Sequence, residues 1–187
     1  MCIRGILGLT VAALLLAAGP PAHAETSLTA YDAARSALLT IWNELPLTAR
    51  NVTLTEGHAT GYGTFAPHEG HSFAPGEQIN VYVEVLGYGW QDNGDGTQSE
   101  LLDADLNLLD KSGAMVASQA KFMTADIRSR DRLLETFLTL DAKLTSFAAG
   151  DYTLQFVLHD TAGGKTATFE VPVTLTGDAA SSAAPAQ

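Results

Sequence analysis

The histidines between positions 58 and 71 are the residues of this sequence best suited to holding a metal ion. His58, His68 and His71 lie in a glycine-rich stretch, and Glu69 stands between the last two. Imidazole nitrogens and carboxylate oxygens are ligands that Zn²⁺ or Cu²⁺ accepts. The spacing matches no strong metal signature, so solvated loop histidines explain the same residues. A periplasmic protein that binds Zn or Cu through these histidines is therefore the alternative hypothesis for this chain.

Two tyrosines and a tryptophan next to glycines form the second candidate site. Tyr62 and Tyr88 both stand in the sequence Gly-Tyr-Gly, and Trp90 closely follows the second of them. Aromatic rings offer a stacking platform for a sugar or a peptide, and small neighbours leave the rings accessible. Alternatively, the rings fill one end of the fold and the glycines relieve crowding. On the first interpretation, these residues bind a glycan, a peptide or a protein of the cell envelope.

Motifs for nucleophilic or metal-assisted hydrolysis are absent from the sequence. It contains neither Gly-x-Ser-x-Gly nor His-Glu-x-x-His, and its single cysteine is Cys2. The chain carries 21 acidic residues against ten lysines and arginines, a formal net charge of −11. Such acidity argues against binding to nucleic acid or to anionic lipid surfaces. We therefore expect a non-enzymatic binding or accessory module without a cofactor.

The N-terminus has the pattern of a secretory signal peptide. Arg4 precedes an apolar run from Ile6 to Ala18 that is too short to span a bilayer comfortably, and Ala22-His23-Ala24 provides a small-x-small cleavage pattern. We predict cleavage after Ala24 and export to the periplasm or the extracellular space. Cleavage would also remove Cys2 and with it any means of forming a disulfide. No later segment reads as a membrane span.

Residues 27 to 44 have the periodicity of an amphipathic helix that begins at Ser27 or Thr29 and ends before Pro46. We expect its apolar stripe to pack against the rest of the fold, and docking to a partner is the alternative. The stripe consists of Tyr31, Ala34, Leu38, Ile41, Trp42 and Leu45.

From about position 52 the periodicity changes to two, which is typical of strands with one face in the core and one in water. Residues 79–85, 102–108, 152–158 and 167–175 alternate in this way, and glycine-rich turns separate such runs. In the first of them, Asn80, Tyr82 and Glu84 are expected on the solvent face. About seven strands without crossover helices predict a mainly β fold, an antiparallel β-sandwich.

Two segments resemble parts of the immunoglobulin-like and fibronectin-III-like modules of exported bacterial proteins. They are FAPGEQINVYVEV, residues 73–85, and FAAGDYTLQFVLHDTAGGKTATFEVPVTL, residues 147–175. The resemblance implies an Ig-like β-sandwich and carries over no functional residue. The expected organisation is a signal peptide at 1–24, a helix and connector at 25–49, the sandwich at 50–177 and a disordered tail at 178–187.

Overall fold

A computed structural model describes residues 27–177. The predicted signal peptide and the predicted disordered tail lie outside these residues. The described part is mainly β with one helix, as the sequence predicts. Its elements in chain order are α1 (Leu28–Glu44), β1 (Thr48–Thr55), β2 (Ser72–Phe73), β3 (Gln78–Leu86), β4 (Gln91–Asp92), β5 (Gln98–Asp110), β6 (Met115–Ser129), β7 (Thr136–Lys143), β8 (Gly150–Asp160) and β9 (Lys165–Leu175).

The helix α1 begins and ends at residues that the sequence marks. Ser27 is the N-cap, and its Oγ accepts a hydrogen bond of 3.1 Å from the backbone N–H of Ala30. Leu45 turns to an extended conformation immediately before Pro46, as the residue before a proline prefers. Over residues 27–177, no helix has the length and apolar character needed to cross a membrane.

The strands form two sheets. One has the order β1-β3-β7, and the other has the order β2-β9-β8-β5-β4 with β6 also paired to β5. The pairs are antiparallel except for a two-residue parallel pairing between β2 and β9. The first strand begins at Thr48, inside the segment that the sequence analysis assigns to the connector.

A single buried cluster takes side chains from both sheets. The alternating apolar residues supply it, as the two-residue period predicts. From the three-stranded sheet come Ile79, Val81, Val83, Val85, Leu138 and Leu140, and from the larger sheet come Leu102, Ala104, Leu154, Phe156, Leu158 and Val173.

The expectation that the second face of β3 meets water is wrong. Asn80, Tyr82 and Glu84 are all buried, so this central strand is covered on both faces. The cover is the segment between β1 and β2, whose Phe65 ring packs 4.3 Å from the Tyr82 ring. The Tyr82 hydroxyl also accepts a hydrogen bond of 2.8 Å from the backbone N–H of Gly63. This long-range cover has no signature in the local periodicity of β3.

Candidate functional site

One aromatic cluster holds α1 to the sheets. Trp42 is the buried residue of the helix, and its indole Nε1 donates a 2.9 Å hydrogen bond to the carbonyl oxygen of Tyr88. The Trp42 ring stacks on Trp90 with centroids 5.9 Å apart and meets Tyr88 edge-on at 5.1 Å. Such pairs stabilise beyond the area that they bury. This cluster therefore fixes the C-terminal half of α1.

The glycines on either side of Tyr88 allow this close packing. A Cβ at Gly87 would lie 2.4 Å from the carbonyl oxygen of Pro46, and one at Gly89 would lie 2.8 Å from the backbone of Gly163. Gly87 also has φ +76°, which disfavours other residues. These glycines thus relieve crowding, which is the structural alternative that the sequence analysis left open for Gly87-Tyr88-Gly89.

The end of α1 is tied to the body of the fold by one lysine. Lys165 Nζ donates to the carbonyl oxygens of Leu45 at 2.7 Å, Gly87 at 2.6 Å and Asn43 at 3.2 Å. A cation at this position also interacts favourably with the helix dipole. Together with the aromatic cluster, these bonds set the direction in which α1 leaves the sheets.

Most of the apolar stripe of α1 is exposed, so the expectation that it packs against the fold is wrong for most of its length. Trp42 is buried and Leu45 is half-buried, but Tyr31, Leu38 and Ile41 are exposed. Arg35 and Leu39 are half-buried beside Trp42, and each lies one position after a residue of the predicted stripe. The helix therefore presents apolar side chains to solvent.

The connection between β6 and β7 extends this exposed surface. Arg35 Nη2 donates a 3.1 Å hydrogen bond to the carbonyl oxygen of Arg132, which places the connection beside α1. A groove of about 280 Å³ runs between the helix and Leu134. We call the exposed side chains of the helix and its neighbouring connection the α1 surface. It consists of Leu28, Tyr31, Leu38, Ile41 and Leu133.

The three predicted aromatic binding residues do not form an exposed platform together. Tyr88 is only 1% exposed, and its hydroxyl donates to the carbonyl oxygen of Leu133 at 3.0 Å. Trp90 is half-buried, with the Arg132 guanidinium 5.3 Å from its ring centroid. Tyr62 lies in a different cluster. The ring of Tyr88 is thus enclosed, because it is buried and makes edge-to-face contacts with Trp42 and Trp90.

Tyr62 belongs to a polar network around the buried carboxylate of Glu84. Oε2 of Glu84 accepts hydrogen bonds of 2.9 Å from Arg50 Nε, Asn51 Nδ2 and the Tyr62 hydroxyl, and Oε1 accepts one of 3.1 Å from Tyr82. Asn51 reaches it from a bulge in β1, where its φ is +51°. This network pins the segment after β1 onto the outer face of β3.

The two buried glutamates have opposite pKa shifts. Burial alone would raise the pKa of Glu84, but its hydrogen bonds with Asn51, Tyr62 and Arg50 outweigh burial and lower that pKa below its ordinary value. At Glu100, which is 1% exposed, burial dominates and raises the pKa. The hydrogen bonds around Glu84 thus favour its carboxylate, whereas burial makes the carboxylate of Glu100 less favourable than that of an exposed glutamate.

A chain of hydrogen bonds gives a second reason for a protonated Glu100. Thr136 Oγ1 lies 2.6 Å from Glu100 Oε2 and 2.8 Å from the Tyr88 hydroxyl, which in turn donates to the carbonyl oxygen of Leu133. Two hydroxyl groups supply only two hydrogens for these three contacts. A proton on Glu100 supplies the third. Glu100 then donates to Thr136, Thr136 donates to the Tyr88 hydroxyl, and Tyr88 donates to the carbonyl oxygen of Leu133.

The three candidate metal-binding histidines have separate surroundings. His58 Nε2 lies 2.7 Å from Asp141 Oδ2, the His68 ring stacks on Phe73 at 4.7 Å, and His71 lines a polar cavity with Asp151. Among residues 27–177, no three histidine, cysteine or acidic side chains are grouped closely enough to hold a metal ion. The structure therefore offers no preformed site for Zn²⁺ or Cu²⁺ at these histidines.

Comparison with known proteins gives no functional lead. No family model and no curated protein matches the sequence. Among solved structures, the crystal structure of Spo0M, a sporulation control protein from Bacillus subtilis, is similar with a TM-score of 0.38 and 13% sequence identity. The similarity covers 70% of this chain and 49% of the Spo0M chain, so this chain spans about half the length of Spo0M. A similarity of this degree supports no inference about function.

Proposed function

We propose that this chain is an exported, non-enzymatic module that binds another protein through the α1 surface. The observation that carries the proposal is the distribution of exposed apolar side chains. Of the seven large hydrophobic residues that are exposed within residues 27–177, five belong to the α1 surface. Contiguous apolar side chains at the surface of a folded protein typically mark an interaction site.

The spacing of these residues suits insertion into an apolar groove of the partner. Tyr31, Leu38 and Ile41 are separated by seven and three residues, so they lie along one face of the helix. The helix is already folded and is anchored through Trp42 and Arg35. Because this anchoring precedes binding, little ordering entropy is lost when the partner docks.

Export and the absence of catalysis are parts of the same proposal. The residues before Glu25 support export because of their basic, apolar and small-x-small regions. The two buried glutamates support a structural role, since the Glu84 carboxylate is enclosed by four hydrogen-bonding side chains and Glu100 lies in the core beside Thr136. N-terminal sequencing of the exported protein tests the predicted cleavage after Ala24.

The proposed architecture is an immunoglobulin-like β-sandwich. It is supported by seven strands of eight or more residues within 27–177 and by a buried cluster to which both sheets contribute. Loops and surface elements carry the specificity of such scaffolds, while the sheets supply a rigid support.

A photo-crosslinking experiment with a matched control tests protein binding. Leu38 and Val116 are exposed to the same extent, 47% and 46%, but only Leu38 lies on the α1 surface. A photoreactive residue at position 38 of the full chain, expressed in its own organism, should give a discrete adduct that Ile41→Asp removes. The same residue at position 116 should not give that adduct.

The partner identified in the adduct should then bind the purified chain directly. We expect Leu38→Asp to weaken its affinity at least tenfold, as loss of a central apolar contact does, and Val116→Asp to change it less than twofold. The proposal is wrong if position 38 gives no discrete adduct, or if both aspartate variants weaken binding equally. Light scattering identifies the case in which the partner is a second copy of the chain.

A further inference from the structure

A second apolar cavity lies between the two sheets, where β6 and β7 are their edge strands. Leu106 and Leu108 of β5 and Phe122 of β6 line one side, and Leu144 and Phe147 after β7 line the other. Its volume is about 230 Å³. Leu108 and Leu144 are buried in the core, whereas the other three are half-buried. We call this cavity the edge cleft; it leads from the surface into the core.

The charge around the edge cleft is unlike that of the rest of the chain. The chain has 21 acidic residues, yet none of the residues that line the cleft is acidic, and Lys143 is the one charged side chain among them. Within residues 27–177, no carboxylate lies within 4.0 Å of the Lys143 ammonium. Asp141, two residues earlier on the same strand, is engaged by His58. Lys143 is thus the one cation among the residues that line this apolar cavity, and no carboxylate of the described residues forms an ion pair with it.

We propose that the edge cleft binds a medium-chain carboxylate. The aliphatic chain would enter between the sheets and contact Leu108, Phe122 and Leu144, and the carboxylate would lie at the ammonium of Lys143. A mostly apolar cavity with one well-placed polar group is the usual form of a small-ligand site. This inference concerns a ligand and residues different from those of the α1 surface.

The size of the cavity sets the length of the ligand. A water molecule takes up roughly 30 Å³ in the liquid, so 230 Å³ corresponds to about eight non-hydrogen atoms. The eight-carbon carboxylate octanoate places most of its chain in a space of this size. It is also soluble as a monomer, so binding can be measured without a lipid surface.

Titration of the full chain with octanoate tests the proposal, and octanol serves as the uncharged analogue. We expect both to bind saturably, followed by calorimetry and by the methyl NMR signals of Leu106, Leu108 and Leu144. Lys143→Met should weaken octanoate binding about two- to fivefold, as expected for an ion pair near the surface, and leave octanol binding unchanged. Lys111→Met is the matched control, because Lys111 lies in the turn between β5 and β6 and does not line the cleft.

A variant that fills the cavity distinguishes binding in the cleft from binding elsewhere. Ala117→Trp should abolish binding of both compounds while its circular dichroism spectrum stays that of the native fold. Absence of saturable octanoate binding to the native chain overturns the proposal, as does equal weakening by Lys143→Met and Lys111→Met. Leu38→Asp should leave octanoate binding unchanged. A negative result for ligand binding in the edge cleft is therefore independent of a negative result for protein binding at the α1 surface.

Discussion

Replacing Glu100 by glutamine should stabilise the protein at neutral pH. Glu100 is almost completely buried, and burial raises the pKa of its carboxyl group. The glutamine amide has nearly the same shape, carries no charge at any pH, and can donate a hydrogen to Thr136 Oγ1. It therefore completes the chain through Thr136 and Tyr88 to the carbonyl oxygen of Leu133 without requiring a bound proton.

The sign and the limit of the effect follow from proton linkage. In the unfolded chain Glu100 loses its proton near pH 4, whereas in the folded chain it retains the proton to a higher pH. Between these two pKa values the folded state binds more protons, so the free energy of unfolding falls by up to about 1.4 kcal/mol per pH unit as pH rises. Glu100→Gln removes this loss. Its advantage should be absent near pH 4 and reach at most about 4 kcal/mol at pH 7.

Glu84→Gln is the matched control, because it changes another buried glutamate whose pKa is shifted the other way. The pKa of Glu84 is lowered, so its stabilising effect is present above the unfolded pKa and is lost as pH falls through the folded value. The amide weakens three charge-assisted hydrogen bonds to Oε2. We expect a loss of about 2–4 kcal/mol at pH 7 that shrinks on acidification.

Urea unfolding followed by far-ultraviolet circular dichroism, from pH 4 to pH 8, measures both variants against the native chain. As pH rises, the free energy of unfolding of Glu100→Gln should increase relative to that of the native chain. That of Glu84→Gln should decrease relative to the native chain over the same range. If Glu100→Gln destabilises the protein by the same amount at pH 4 and pH 7, folding does not raise the pKa of Glu100. The proton count along its hydrogen-bond chain would then be wrong.

Two further predictions concern the anchoring of α1 and the histidines. Trp42→Ala should lower the free energy of unfolding by about 3–5 kcal/mol and speed tryptic cleavage after Arg35, because the aromatic cluster that holds α1 is lost; an unchanged melting temperature would contradict this. Zn²⁺ or Cu²⁺ should leave the melting temperature of the native chain unchanged, because His58, His68 and His71 are not grouped. A metal-dependent rise that His68→Ala abolishes would restore the metal hypothesis.

The fold was predictable where local pattern decides the structure. The cap at Ser27 and the proline at position 46 mark α1, and alternating apolar residues mark the long strands. The pattern failed on the outer face of β3, because Tyr82 and Glu84 are buried by a segment that lies elsewhere in the sequence. Alternation shows that two faces differ in polarity, but it does not show that a polar face is covered by another part of the chain.

The candidate site was less predictable, because it depends on which side of a helix meets the sheets. Tyr31, Leu38 and Ile41 belong to the predicted buried stripe but are exposed, whereas Trp42 of the same stripe is buried and Arg35 outside it contacts the body. That rotation is set by contacts with Tyr88 and the β6–β7 connection, which no local pattern encodes. The glycines next to Tyr88 were informative in the sequence. Relief of crowding was one of their two interpretations, and both glycines lie in close contact with other backbone atoms.

The stacked indoles at the C-terminal end of α1 allow the attachment of the helix to the sheets to be followed by spectroscopy. Trp42 belongs to the helix and Trp90 to the connection between β3 and β4, and they are the two tryptophans of the whole chain. Their rings are 30° from parallel with centroids 5.9 Å apart. Their coupled near-ultraviolet circular dichroism therefore depends on the orientation of the helix relative to the strands. A label-free recording of this signal during complex formation would therefore separate a tilt of α1 from a rearrangement of the strands.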